Sequence, residues 1–416
     1  MGLRKTYKFL GLQIGSGGCS VTGLETQLYN WLQRVEASPL SPAQKLYALK
    51  VHVLPALMHQ MVLGEMRCKW LDKWDRRIRN FARKIAHLPR DTVLGAFYGS
   101  VSEGGMGIMC LRSRIPYLRE NRMADLKKSE YAPIVYLRGT RTGEADLERI
   151  PLARDKTLDV KIVDKIRESE YWKTRLHESV DGAGLKGMAH APGSSAWVAD
   201  PLMNIRGTEW VRALHVRLAI LKTPLRASRG RQVARAYCSS CSDKLKSLSH
   251  ISQTCSRTHG PRVLRHDNLV KKIKLSCERK KWKVHLEPRI KLGSTFCKPD
   301  LVIIRENDIW VVDPTIVSDT ATGFDPAESE AAKVGKYLQP EVLEGVGRLP
   351  GAEGKPVTVN GLAMTWRGGL TSKGWHILKS LGISKSYVNY MVVGLLNDTW
   401  WMWMGDSRRT DTGFNA

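Results

Sequence analysis

Two carboxylates and a lysine-bearing helix in the last third of the chain form its clearest chemical pattern. Lys298-Pro299-Asp300 leads into the apolar run Leu301-Val302-Ile303-Ile304, and a second run, Ile309-Trp310-Val311-Val312, ends on Asp313. The polar stretch Arg305-Glu306-Asn307-Asp308 between them has the length and composition of a hairpin loop. A symmetric hairpin sets Ile304 against Ile309 and Asp300 against Asp313, with the Cβ atoms of the two aspartates about 5 Å apart on one face. Carboxylates that close repel unless a cation lies between them, and their hard oxygens suit Mg²⁺ or Mn²⁺. Such an ion polarises a phosphodiester and acidifies its bound water, as hydrolysis requires. Asp325-Pro326-Ala327-Glu328 then starts a helix with Asp325 as N-cap. Glu330, Lys333 and Lys336 follow at i, i+3 and i+6, with Tyr337 four residues after Lys333. From that helix a lysine can face the hairpin and stabilise an attacking hydroxide or the transition-state charge. Taken by themselves, the same residues also fit an ordinary hairpin with acids beside its turns and a solvated helix.

A second constellation reads Cys238-x2-Cys241-x8-His250-x4-Cys255. Zinc takes four soft or borderline ligands in a tetrahedron, and a two-residue gap lets one turn present two thiolates to one ion. With all four positions filled by protein, the predicted zinc is structural. The nearby His259 and His266 read as contact or packing residues, and Cys19, Cys68, Cys110, Cys277 and Cys297 as buried thiols.

The elements that must position these groups lie in a strongly basic chain. Among 416 residues, 66 Lys and Arg stand against 40 Asp and Glu, a net charge of +26, which attracts a polyanion such as nucleic acid. From Arg226 to Lys291, around the cysteine cluster, 18 Lys or Arg face 4 Asp or Glu. No run of about 18 consecutive apolar residues occurs, so no transmembrane helix and no membrane partner are expected. A basic chain without a membrane signal fits the nucleus. Residues 7–14 read as a strand, followed by a turn at Gly15, Gly17 and Gly18. Ser41-Pro42-Ala43-Gln44 is a helix start, and Pro55 should kink or divide that helix. Leu71, Trp74, Ile78, Phe81, Ile85 and Leu88 make one face of a helix over about 68–88. Arg76, Arg77, Arg79, Arg83 and Lys84 lie off that stripe, solvated or following a phosphate backbone. Gly104-Gly105-Met106-Gly107 marks a tight turn, the Gly and Pro clusters at 182–193 a loop, and 209–225 a helix closed by Pro224.

In this order the motifs resemble the Pol polyproteins of site-specific type-1 (non-LTR) retrotransposable elements, which insert into ribosomal RNA genes and carry a restriction-like endonuclease. Tyr7-Lys8-Phe9-Leu10-Gly11 resembles the last palm strands of the reverse transcriptase, and the helices from 41 to 88 with Leu88-Pro89 and Gly104-Gly105-Met106-Gly107-Ile108 look like the thumb. Leu218-Ala219-Ile220-Leu221-Lys222-Thr223-Pro224, running into Ser228-Arg229-Gly230-Arg231, resembles the family's linker but departs from its apolar–Asn–Ala–Leu–Pro wording. The cysteine–histidine knuckle, Thr258-His259-Gly260, Arg265-His266-Asp267, Lys298-Pro299-Asp300, Val311-Val312-Asp313, Lys333 with Lys336-Tyr337, and Trp366-Arg367-Gly368 complete the match.

The resemblance implies an α-rich amino-terminal part, a small CCHC zinc knuckle and an α/β restriction-endonuclease-like domain with a mixed sheet. It divides the chain into the end of the palm (1–22), a thumb-like helical domain (23–125), a helical linker (126–232), the knuckle with its basic flank (233–270) and the endonuclease domain (271–416). Asp300, Asp313 and Lys333, with Lys336 as second choice, would be catalytic, the aspartates holding Mg²⁺ or Mn²⁺. The broader restriction-endonuclease pattern puts lysine two residues after the second acid, where this chain has Thr315. Arg229, Arg231, Arg262, Arg265, His266, Lys298 and Arg367 would contact nucleic acid. The implied partners are target DNA in ribosomal RNA genes, the element RNA, an upstream reverse transcriptase part and a second copy of the element protein. No Tyr/Phe-x-Asp-Asp sequence occurs, so the polymerase carboxylates are expected upstream, and the chain is expected to be a fragment or the product of a truncated element. The competing reading is a nucleic-acid-binding module without catalysis.

Overall fold

The computed structural model of the chain describes residues 7–9, 12–15, 18–21, 23–64, 66–132, 150–157, 159–229, 236–319 and 325–411. They form two compact units, one of Met1–Ser100, Gly105–Leu176 and Ala199–Pro201, the other of Val101–Gly104, His177–Val198 and Leu202–Ala416. Within 126–232, residues 126–176 and 199–201 fall in the first unit and 177–198 and 202–232 in the second.

The first unit is mostly helical. Instead of one strand over 7–14, β1 (Tyr7–Phe9), β2 (Leu12–Gly15) and β3 (Gly18–Ser20) make a small antiparallel sheet; Leu10, Gly11 and Gly17 lie outside the described residues. After α1 (Leu24–Ala37), α2 (Pro42–Ala48) starts on a capping box, in which Gln44 N donates to Ser41 Oγ at 3.4 Å and Ser41 N to Gln44 Oε1 at 3.0 Å. A π-helical turn over Leu49–Val53 then leads into α3 (Leu54–Leu63), which carries Pro55 in its first turn. Proline has no N–H and clashes with the carbonyl four residues back, and the wide turn removes both conflicts. By length and composition Pro42–Leu63, 22 residues with a mean hydropathy of 1.2, is apolar enough to span a bilayer. Its Leu46, Leu49, Val53, Leu54, Leu57 and Met61 are buried in this helical unit, about a third of the span in all.

Helix α4 (Cys68–Ala86) buries the expected stripe and also Asp75. That carboxylate accepts the Leu111 and Arg112 amides, both at 2.8 Å, and so caps α6 (Leu111–Lys128), which follows α5 (Leu94–Tyr98). Part of the basic face of α4 is used internally: Arg77 pairs with Glu25 at 2.9 Å, Lys84 with Glu36, and Arg79 and Arg83 lie over Tyr98 and Phe97. Strands β4 (Arg154–Asp155) and β5 (Val160–Lys161) precede α7 (Lys165–His177).

In the second unit the Gly/Pro stretch expected as a loop is a series of 3-10 turns over Ala183–Leu185, Met188–His190 and Pro192–Val198. Much of it is buried, and Asn389 ties it down, accepting from Trp197 N at 3.0 Å and donating to Gly193 O at 2.9 Å. Helix α8 (Gly207–Arg217) stops well before Pro224, and Pro224 opens the short α9 (Pro224–Ala227) instead of closing the preceding helix. Its missing N–H is harmless in a first turn. Strands β6 (Tyr237–Cys238) and β7 (Cys241–Leu245) make the knuckle, followed by α10 (Leu248–Gln253) and the long α11 (His259–Glu278).

The mixed sheet has the order β13-β12-β11-β8, built from β8 (Lys283–Leu286), β11 (Leu301–Ile304), β12 (Ile309–Val317) and β13 (Val357–Thr365). Only β12 and β13 run parallel. A separate hairpin pairs β9 (Ile290–Leu292) with β10 (Thr295–Cys297). All four residues of β11 are buried, which is why it reads as an unbroken apolar run. Val302, Ile304, Ile309 and Val311 share a core with Tyr337 of α12 (Pro326–Tyr337) and with Val342 and Val346 of α13 (Pro340–Gly347). Helices α14 (Ser372–Ser380) and α15 (Lys385–Asp411) complete the unit.

Glu330 fastens α12 to the sheet. Its carboxylate, in a residue 2% exposed, accepts Ala363 N of β13 at 3.0 Å and the Thr371 hydroxyl at 2.5 Å. Replacing it by Ala leaves a buried amide and hydroxyl unpaired, a loss of about 1–3 kcal/mol. Glu330→Ala should lower the denaturation midpoint accordingly, with Glu330→Gln intermediate. An unchanged midpoint would show that α12 is held by apolar packing alone.

Candidate active site and metal centre

The β11–β12 hairpin has the symmetric register expected of it: Leu301 pairs with Val312 and Ile304 with Ile309, and Arg305 N donates to Asp308 O at 2.9 Å across the turn. One position further, Asp300 stands across from Asp313. The Asp313 side chain is 2% exposed and has two partners from successive turns of α12. Lys333 Nζ lies 2.7 Å from Oδ1, and the Tyr337 hydroxyl lies 2.6 Å from Oδ2 and 3.1 Å from the Lys298 carbonyl. Burial and the Asp313 charge push the Tyr337 pKa up, so the phenol stays protonated as a donor. Lys333 thus reaches from the helix to the acid, while Lys336 is exposed and lies over the Tyr337 ring at 4.9 Å.

Asp300 is partly exposed and meets a residue that spacing did not bring to it. His266 of α11 places Nε2 3.1 Å from Asp300 Oδ2 and 3.0 Å from the Pro314 carbonyl, while Nδ1 lies 3.2 Å from Asp267 Oδ1. Oxygen acceptors therefore face both ring nitrogens, which favours the imidazolium. The Asp300 carboxylate raises the His266 pKa to about 9. Burial, reinforced by Asp313, holds Asp300 above the usual carboxylate range despite the opposing pull of His266 and Lys333. Two opposed acids, one of them reluctant to ionise, are what a divalent cation would relieve.

Most of the expected nucleic-acid contacts are placed otherwise. Arg265 is 2% exposed and donates to Thr399 Oγ1 and Ser252 O, both at 2.9 Å. Arg367 is 4% exposed, pairs with Asp319 at 2.7 Å and donates to Asp181 O at 2.6 Å. Both expectations are corrected: these guanidiniums are consumed by buried partners and cannot reach a phosphate from where they lie. Arg262 donates to the Gln253 and Cys255 carbonyls, and Arg229 pairs with Asp181, so their positions also have internal work. His266 belongs to the acid pair. Lys298 is exposed, and Arg231 lies outside the described residues. The missed signals were tertiary: His266 is far in sequence from Asp300, and no local pattern joins them.

In the second constellation, the ligand atoms of Cys238, Cys241, His250 and Cys255 lie within 4.8 Å of one another. The β6–β7 turn sets Cys238 opposite Cys241, and Cys238 Sγ lies 3.8 Å from Cys255 Sγ. Ser247 caps α10 by accepting His250 N at 2.9 Å, and Thr254 Oγ1 sits 2.9 Å from His250 Nδ1. That contact leaves Nε2 for a metal, and this atom is buried without a hydrogen-bond partner among the described residues. An orphaned imidazole nitrogen facing three thiols fits zinc.

No family model matches the sequence. The chain is 30% identical over 393 residues, 93% of its length, to the retrovirus-related Pol polyprotein from type-2 retrotransposable element R2DM of Drosophila melanogaster. It is 30% identical over 398 residues, 95% of its length, to the Pol polyprotein from type-1 retrotransposable element R2 of Nasonia vitripennis, and 27% identical over 410 residues to that of Bradysia coprophila. The chain belongs to the R2 retrotransposon Pol polyprotein family. It spans 36%, 37% and 45% of the length of these three relatives.

Two measurements test the centres of this R2-family chain. Elemental analysis should find one zinc per chain, falling well below that in His250→Ala and Cys255→Ser; full zinc in both variants would exclude the cluster. In metal-free protein, NMR should show His266 titrating near pH 9, and nearer its ordinary value of about 6.5 in Asp300→Asn. Because its folded-state pKa is raised, the His266 titration contributes stability that is fully present below about pH 6.5 and lost as pH rises through about 9.

Proposed function

We propose that the second unit is a metal-dependent DNA endonuclease within a retrotransposon Pol polyprotein, nicking target DNA so that the exposed 3′-hydroxyl primes reverse transcription of the element RNA. One observation carries the reading: Asp300 and Asp313 oppose each other at the open end of a hairpin while Lys333 contacts Asp313 from a neighbouring helix. The net charge of +26 and the family membership supply the polyanionic substrate class.

In this mechanism Asp300 and Asp313 would hold Mg²⁺ or Mn²⁺, which supplies Lewis acidity at the phosphodiester and an acidified water. Lys333 is partly exposed and carries its ammonium to the edge of the acid pair, where it steadies the hydroxide or the developing phosphorane charge. Tyr337 and His266 position one acid each, Tyr337 as a donor to Asp313 and His266 as a donor to Asp300. Cys238, Cys241, His250 and Cys255 would hold a structural zinc that ties together α10 and the start of α11.

On this reading residues 1–22 and 23–125 are the end of a reverse transcriptase palm and a thumb. Residues 126–232 lead to the knuckle at 233–270, and residues 271–416 are the restriction-like endonuclease domain. The partners are target DNA in ribosomal RNA genes, element RNA, an upstream reverse transcriptase part and a second copy of the element protein, in the nucleus.

The test is nicking of supercoiled plasmid with Mg²⁺. Asp313→Ala and Asp300→Ala should abolish nicking, and Lys333→Ala should slow it about 100-fold or more, while Lys336→Ala costs far less. Equal nicking by wild type and Asp313→Ala would sink the assignment. Undiminished DNA binding without nicking by wild type would favour a binding module without catalysis.

A further inference from the structure

The β9–β10 hairpin has two chemically distinct faces. Its registered pairs, Ile290 with Cys297 and Lys291 with Phe296, point to opposite sides. Ile290 and Cys297 are buried in the core that contains Tyr337, Val302 and Val311. The other face displays Lys291 and Phe296, and the same register continued outward adds Arg289 and Lys298. Phe296 is 53% exposed, with the Arg289 guanidinium 4.4 Å and the Lys298 ammonium 6.0 Å from its ring centre. Gly293, at φ 52°, makes the tight turn that lets the two strands stay flat against the core.

This face adjoins the acid pair. Lys298 is two residues from Asp300, and its carbonyl accepts the same Tyr337 hydroxyl that binds Asp313. Three cations and an aromatic ring, with no acid among the four positions, suit a polyanion whose monomers carry flat π-faces. Cations take the phosphates, and the ring takes a base.

We propose that the β9–β10 hairpin engages DNA beside the scissile phosphate, with Phe296 stacking on a base that has left the duplex stack and Arg289, Lys291 and Lys298 holding the flanking phosphates. The location rests on the endonuclease reading; the stacking surface does not. A short hairpin anchored on one face in the core that also holds Tyr337 is stiff enough to set the depth at which DNA meets the acids.

The experiment measures equilibrium binding of the full chain to a fluorescein-labelled duplex and to the same duplex carrying two unpaired thymines. Wild type should bind the unpaired duplex about tenfold tighter, in line with one base–aromatic stack. Phe296→Ala should lose that preference, and Phe296→Trp should keep it. Arg289→Ala and Lys291→Ala should weaken both duplexes alike and reduce the salt slope by about one each. Asp313→Ala should retain the preference whatever happens to nicking, which separates this test from that of the endonuclease. A preference that survives in Phe296→Ala, or that wild type lacks, overturns the proposal even if plasmid is nicked.

Discussion

A carboxylate buried like that of Asp313 loses hydration worth several kcal/mol, and a fold can hold it only by supplying compensating groups at close range. Here both come from one helix. Lys333 and Tyr337 stand four residues apart on α12, so a single orientation of that helix delivers an ammonium to one oxygen and a phenol to the other. The orientation is fixed in turn by Glu330, three residues before Lys333, which grips Ala363 and Thr371. Since β13, which carries Ala363, runs parallel to β12, which carries Asp313, the acid, the helix and the two strands are mutually determined. The parallel pair also explains the connection between β12 and β13: parallel neighbours need a crossover, and α12 and α13 provide it.

Helix α11 performs the corresponding task for Asp300. Near its start Arg262 reaches back to the carbonyls of Gln253 and Cys255, and Arg265 to that of Ser252, so the helix is bound to the backbone that presents His250 and Cys255. The next residue, His266, meets Asp300. A folded cysteine–histidine cluster therefore sets where the imidazole stands. The cluster and the acid pair are coupled through Arg262, Arg265 and His266 of one helix.

What could be read from the sequence was what depends on local geometry. The hairpin register followed from two equal apolar runs about a symmetric loop, and the helix starts at Ser41 and Asp325 from side chains that satisfy their own backbone. The cysteine–histidine spacing was legible for the same reason. What failed depends on burial, which no short window reveals. Arg265 and Arg367 were expected to contact nucleic acid because the family resemblance implied it, yet each is buried with acceptors on distant segments. The glycines near 182–193 suggested a loop, but Gly193 is where the Trp375 ring approaches too closely for any Cβ. His266 looked like a contact residue because its partner lies in another strand.

Charge bookkeeping by composition therefore misleads in a specific direction. Arg217, Arg265 and Arg367 count toward +26 but are buried, so the field that a polyanion would meet is set by a smaller group of exposed cations. The proposed endonuclease centre, built on two aspartates, would face an electrostatic difficulty: the carboxylates that would bind a divalent ion would also repel the phosphate to be cut. A bound ion would offset that repulsion only at its own position. Phosphates on either side still approach a cluster of negative charge within a Debye length, about 8 Å at physiological salt. Exposed Lys298, two residues before Asp300, and exposed Lys336, next to Tyr337, are placed to counter it. The arrangement separates two duties that the sequence presents together. Buried arginines hold the scaffold on which the acids are aligned, and rim lysines make that alignment approachable by a polyanion.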